Sequence, residues 1–262
     1  MIDPFHLEKY GVTAVNYNRD VEVFPLLKSI FEHIYGSSPY YSPTDMGVNM
    51  VGFAISDDKK VAKACYNEII RRYYQTRKSV YLGKLDEDSI EKMQILLNKA
   101  SINISDRKVI EAAVNVGNKE KEPAVAIELP NGKIVTGHRS ELFGATAACL
   151  LNALKVLGKV DKDMYLLMPM VIEPLKEMKV TYLHRSNARL RAEEVLLALS
   201  IQSKTNPLAD RALKQLPKLV GCEAHSSTLL SDVDLQTLNR LGIRITEEPI
   251  SYKKKLFTKN SL

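Results

Sequence analysis

Tryptophan is absent from this chain and cysteine is scarce: Cys65, Cys149 and Cys222 are the three thiols among 262 residues. They are far apart and odd in number, which argues against a disulfide framework and fits a reducing compartment. No run approaches the roughly 20 apolar residues that span a bilayer, so no membrane partner is expected. The N-terminal segment from Met1 to Glu8 has neither the basic nor the apolar region of a signal peptide, and the expected location is the cytoplasm. Common fingerprints are missing as well: no Walker-type loop, no G-x-G-x-x-G, no H-E-x-x-H and no G-x-S-x-G. There is no internal repeat and no low-complexity tract.

Charge is only mildly unbalanced. The net charge is +6 and the pI about 9.0, partly through Lys253, Lys254, Lys255 and Lys259. No nucleic-acid motif accompanies these lysines, so they read as a solvated terminus and no nucleic-acid partner is expected. A hydrophobic content of 45% with 26% charged residues gives enough apolar mass for a core, in one large domain or two modest ones.

What the chain does have is an organising stretch at residues 123–158. Two β-branched runs flank Asn131-Gly132, which predicts a tight hairpin because both residues tolerate φ > 0. The helix that follows, residues 142–157, is apolar nearly all round and therefore predicted to be buried. Its Gly144, Ala145, Ala147 and Ala148 suit a close approach to a sheet.

Before this stretch, residues 1–20 show neither the helix nor the strand period, while residues 21–118 read as four or five helices. These are residues 21–35 (with Val23, Leu26, Leu27, Ile30, Phe31 and Ile34 inward), 57–77, a helix starting near 86, and one capped by Ser105-Asp106. The charged run 118–122 marks the expected boundary, giving a segment 1–20, a helical subdomain 21–118 and an α/β domain 119–262. After the organising stretch come a buried segment at 164–171, a short helix from Glu173, a strand at 180–183, and helices near 190–200 and 207–216. A strand from Gly221, a helix at 232–241 and a strand at 242–246 complete an α/β layer.

Several local groups have the composition of sites. Thr44, Asp45 and Asn49 lie on a turn bracketed by proline and glycine, where Asp45 also reads as a plain helix cap. His138, Arg139 and Ser140 stand ahead of the apolar helix, where an anion site competes with an ordinary N-cap. Cys222 and His225 are three residues apart, but two ligands make no metal site, and on a strand their side chains face opposite ways. A structural histidine is the favoured reading there, and no metal is assigned.

Longer motifs carry a resemblance. Ile-Asp-Pro-Phe-His-Leu-Glu at residues 2–8, Val-Asn-Tyr-Asn-Arg-Asp-Val-Glu at 15–22, Tyr-Ser-Pro-Thr-Asp-Met-Gly-Val-Asn-Met at 41–50 and Gly-Cys-Glu-Ala-His-Ser at 221–226 resemble a bacterial family of uncharacterised proteins, domain of unknown function 1846. Members are about twice this length, and their N-terminal half looks like a nucleotide-binding α/β domain with a glycine-rich loop. The resemblance thus implies the C-terminal half of a nucleotide-dependent, ATP-binding enzyme, inactive alone, whose missing N-terminal half is its partner and with which ATP and Mg²⁺ would bind. It implies that Asp3, His6, Asn16, Asn18, Arg19 and Asp20, with Thr44, Asp45 and Asn49, contribute to a shared substrate site. It also implies a mixed α/β fold, a helical subdomain followed by a three-layer α/β sandwich of cytidine-deaminase-like topology. The zinc motifs H-x-E and P-C-x-x-C of deaminases are absent, which argues against deamination. The alternative is a non-catalytic scaffold or oligomerisation module, with a homo-oligomer as its product.

Overall fold

The structure, a computed structural model, describes residues 18–38 and 58–251. The chain divides into two compact units, residues 1–107 and 108–262.

Among its described residues the first unit packs α1 (Asn18–Tyr35), α2 (Asp58–Tyr81) and α3 (Asp88–Lys99) against one another, followed by a 3₁₀ turn, Ile104–Asp106. The inward stripe of α2 follows the helical period: Ile69, Ile70, Tyr73 and Tyr74 are buried, as is Leu97 of α3. On α1 the predicted stripe is only partly used, since Ile30 and Ile34 stand exposed. Arg71 and Arg72 fall in mid-helix, because α2 runs on to Tyr81, and both bond the Glu68 carboxylate at 2.6–3.0 Å. Arg77 lies over the rings of Tyr73 and Tyr74, 5.6 and 5.3 Å from their centroids, which holds its charge in a cation–π contact.

The second unit is a mixed α/β layer structure. Helix α4 (Val109–Glu120) leads into the hairpin β1 (Ala124–Glu128) and β2 (Ile134–His138), followed by α5 (Ala145–Leu157) and α6 (Pro169–Glu177). A π-helical turn (Met178–Tyr182), α7 (Ala192–Gln202) and α8 (Pro207–Leu213) follow, then β3 (Glu223–Ser226), α9 (Asp232–Arg240) and β4 (Arg244–Glu247). The sheet order is β2-β1-β3-β4, with β1 antiparallel to both neighbours and β3 parallel to β4. One face is covered by α4, whose Val109 and Ala113 pack on Ala126 of β1. The other carries the main core, in which Val125, Ile127 and Val135 meet Cys149, Leu150 and Leu154 of α5, with Val195 and Leu199 of α7 behind.

The contact between β2 and α5 is unusually close. A Cβ on Gly137 would lie 2.2 Å from the backbone nitrogen of Cys149, so only glycine fits. Asn152 Nδ2 then donates to the Thr136 carbonyl at 2.9 Å, tying the helix to the strand. The hairpin closes through a three-residue loop, Pro130-Asn131-Gly132. Gly132 N donates to Leu129 O, Leu129 N donates to Lys133 O, and Gly132 alone among them takes a positive φ, of 78°. Pro130 presets the first turn position, so the loop is a type I turn with a left-handed glycine rather than a two-residue Asn-Gly turn.

Four expectations change. Helix α4 packs on the sheet and stands in the second unit, so the division falls at 107/108, and the charged run 118–122 is the exposed end of this helix, closed by Lys121 at φ 56°. Ser105-Asp106 does not cap α4; Asn103 and Asp106 form a capping box on the 3₁₀ turn. Residues 180–183 form no strand. Lys179 is buried and anchored to Glu194 Oε2 at 2.6 Å and to the Arg189 carbonyl, and this tertiary anchor overrides the β-propensity of Val180 and Tyr182. In segment 164–171 Leu166 and Leu167 are buried, while Met164, Tyr165 and Met170 are exposed.

Two predictions follow from this packing. Gly137→Ala is expected to destabilise by about 3 kcal/mol or more, because backbone rather than a flexible side chain must move. Gly132→Ala meets no atom within 4 Å and costs only the left-handed conformation, about 1–2 kcal/mol; denaturant unfolding of the two variants checks the order. At Glu68, burial raises the carboxyl pKa, but the charges and hydrogen bonds of Arg71 and Arg72 outweigh this and hold it below its ordinary value of 4.5. A depressed folded-state pKa adds stability above the unfolded value, and that stability is lost as pH falls through the folded one. Glu68→Gln should therefore destabilise by about 1 kcal/mol at neutral pH, with the gap to wild type closing below pH 4.5 in a pH series of melts.

Candidate functional site

The pleat of β3 and β4 segregates side chains. Cys222 and Ala224 point into the core under α5, while Glu223 and His225 point to the α4 face. The parallel register places His225 beside Thr246 and Glu223 beside Arg244. His225 is fully buried; its Nδ1 is 2.8 Å from Thr246 Oγ1, and its Nε2 is 3.5 Å from Glu248 Oε1. Thr246 Oγ1 donates to the Ala224 carbonyl at 3.4 Å, so its oxygen is left to accept from His225 Nδ1–H. That puts the hydrogen on Nδ1 and turns Nε2 toward the Glu248 carboxylate, to which it makes no hydrogen bond. Arg244 Nη1 lies 3.8 Å from Glu223 Oε1 in the next row.

The loops around this row are built from buried polar contacts. Glu247 Oε1 accepts from Leu230 N at 2.6 Å, and Ser226 Oγ donates to Thr228 O at 2.7 Å. Ser227 Oγ accepts from Ala124 N at 2.9 Å, and α4 comes so near that a Cβ on Gly117 would be 2.8 Å from that hydroxyl oxygen. His225, Thr246 and Glu248 thus stand at the carboxyl ends of the two parallel strands, with Glu248 at the surface side of the row (13% exposed).

The other sequence candidates separate. Asp3, His6, Asn16, Thr44, Asp45 and Asn49 lie outside the described residues. Asn18, Arg19 and Asp20 fall in the first turn of α1, with side chains outside the described set. His138 is exposed at the end of β2, and Arg139 is bound to the Glu122 carboxylate at 2.5 Å. Ser140 accepts from Phe143 N at 3.1 Å and so closes a turn; Gly144 is the N-cap of α5, without a side-chain cap. No Ser140 N-cap forms there, because the first turn of α5 is buried and its flanking loop pairs with Leu190 through Gly144 N and Leu142 O. Cys222 and His225 lie on opposite faces, as strand alternation requires. Burial pushes the Cys149 thiol far up, which keeps it a neutral core group. Thr246, Glu248, Glu223 and Arg244 were missed, because only the β3–β4 register reveals them; the alternation in Arg-Ile-Thr-Glu was the available signal.

In the first unit, an open pocket of about 650 Å³ is lined by Tyr73, Gln94, Asn98, Ser101 and Asn103 among others, an amide-rich wall. Among the described residues no group of three His, Cys, Asp or Glu side chains is placed to hold a metal ion. No described helix is long and apolar enough to cross a membrane.

Comparison with known proteins places these features in a family. Residues 105–257 match the model described as domain of unknown function DUF1846, C-terminal, and residues 1–101 match its N-terminal counterpart. The chain belongs to the DUF1846 family. It is 49% identical over 259 residues to the UPF0371 protein stu1377 of Streptococcus thermophilus, covering 99% of this chain and 52% of that protein. A UPF0371 protein of Streptococcus pneumoniae matches to the same extent. The chain therefore spans about half the length of these curated relatives, and its match is not confined to the C-terminal family model.

The buried row makes a direct prediction. Thr246→Val keeps the shape of the side chain but removes the acceptor for His225 Nδ1–H, and is expected to cost about 1–3 kcal/mol, read as a lowered denaturant midpoint. An unchanged midpoint would mean that the contact adds nothing.

Proposed function

We propose that the chain is part of a nucleotide-dependent enzyme and that its α/β unit contributes an acid–base group at the carboxyl ends of β3 and β4. The observation carrying this reading is the His225–Glu248 pair at that edge. Open α/β sheets bind ligands outside the carboxyl ends of their parallel strands, and a buried histidine 3.5 Å behind a partly exposed carboxylate gives that carboxylate a fixed neighbour. In this reading Glu248 touches the ligand, and His225 and Thr246 are positioning residues.

The family resemblance supplies the rest of the proposal. Arg19 would take a phosphate or carboxylate, and Asp20 or Asp45 a metal or a substrate hydroxyl, with Asp3, His6, Asn16, Asn18, Thr44 and Asn49 as further ligand contacts. ATP with Mg²⁺ is the implied cofactor. The glycine-rich loop for its phosphates would stand in the half of the relatives' length that this chain does not span. The order β2-β1-β3-β4, an antiparallel hairpin beside a parallel pair, supports a deaminase-like layering without the deaminase zinc motifs.

Calorimetry and ATP hydrolysis on this chain and on the full-length Streptococcus thermophilus relative test the reading. The relative is expected to bind ATP–Mg²⁺ and turn it over, and this chain alone to show no turnover. Replacing the relative's counterpart of Glu248 by glutamine should lower kcat by roughly 10²-fold. Absence of nucleotide binding by the relative sinks the nucleotide reading, and hydrolysis by this chain alone sinks the shared site.

A second reading, a scaffold or oligomerisation module, is favoured by one observation. Large apolar residues stay exposed on α6, the π turn and α7.

A further inference from the structure

Helices α6 and α7 run side by side in opposite directions. At one end Met168 N donates to Gln202 Oε1 at 3.3 Å, and at the other Lys179 Nζ meets Glu194 Oε2 at 2.6 Å. Their outward sides, with the π turn between them, leave Met168, Met170, Met178, Tyr182, Leu197 and Ile201 exposed by 39–78%. Summed over the six residues the exposure is roughly 700 Å², of the order of the roughly 800 Å² that each partner buries in a stable complex. Methionine and tyrosine are also the residue types enriched at such surfaces.

We propose that this face joins two copies of the chain about a two-fold axis, with the α7 helices crossing antiparallel at Leu197 and Ile201. The outward side of α7 is self-complementary. Glu193, Leu197, Ile201 and Lys204 follow one another at helical spacing, all exposed, with an acid at the start, two apolar side chains in the middle and a base just past the end. Antiparallel docking sets Glu193 opposite the partner's Lys204, and the symmetry repeats that pair on the other side of the axis. Parallel docking would instead oppose acid to acid and base to base. Self-complementarity of charge and area selects a second copy over an unrelated partner. The inference uses no residue of the nucleotide reading and stands or falls separately from it.

Sedimentation velocity and light scattering on the purified chain provide the test. A dimer is expected, and the pair Leu197→Glu with Ile201→Glu should raise its dissociation constant at least about tenfold. The circular dichroism spectrum should not change, because both side chains are already exposed. Glu193→Lys should weaken the dimer, and Glu193→Lys combined with Lys204→Glu should restore it. A chain that stays monomeric at tens of micromolar overturns the proposal. So does a dimer indifferent to the Leu197 and Ile201 changes, or a reversal at Glu193 that the Lys204 change fails to rescue.

Discussion

The α/β unit depends on one steric constraint, the contact of β2 with α5 at Gly137. With the strand backbone almost touching the helix backbone, Cys149, Leu150 and Leu154 can reach across to Val125, Ile127 and Val135. Any side chain at position 137 would lift the helix and open the centre of the core. The other helices of this unit are arranged around that fixed pair: α7 behind α5, α8 beside it, and α9 carrying the chain from β3 to β4. A tight core of small and branched side chains also explains the neutral Cys149 thiol, which has no solvent path and no charge beside it.

On the opposite face of the sheet the chemistry is different. Alternation along β3 and β4 sends His225, Thr246, Glu223 and Arg244 away from the apolar core toward α4, with Glu248 following just past the end of β4. One strand pair thus supplies both a dry face and a polar one. At the strand ends, on both faces, the cost of burying polar groups is offset by dense hydrogen bonding, in which Ser226, Ser227, Thr246 and Glu247 each find a partner within 3.4 Å. A polar row of this kind can serve as internal mortar or as the floor of a site, and the partial exposure of Glu248 is what the proposed function requires of a ligand contact.

How much of this was legible depended on the range of the interaction. The hairpin, the buried helix, the inward stripe of α2 and the strand–helix–strand end are local patterns of composition and period, and they could be read directly. Residues 180–183 were misread because their β-branched and aromatic content is a local signal, whereas the π turn is set by Lys179 reaching Glu194, 15 residues away. The boundary was placed late for a similar reason: a charged run looks the same in a linker and at an exposed helix end, and only the packing of Val109 and Ala113 on the sheet tells them apart. Of the site, Cys222 and His225 stood out by residue type, but the pairing of His225 with Thr246 spans 21 residues and needed the register. The candidates before residue 18, and those at 44, 45 and 49, stay with the family resemblance that suggested them.

The sheet order has a consequence for how the chain comes into being. Strand β1 lies between β2, its immediate hairpin neighbour, and β3, whose following residue Ser227 is 103 positions beyond the amide of Ala124 that it receives. At ribosomal rates of about 5–20 residues per second, the apolar edge of β1 is made on the order of 5–20 s before the strand that covers it. Throughout that interval the nascent hairpin offers open backbone donors and acceptors to any other extended segment nearby. Biogenesis, more than the finished fold, is where this topology exposes the protein to mispairing.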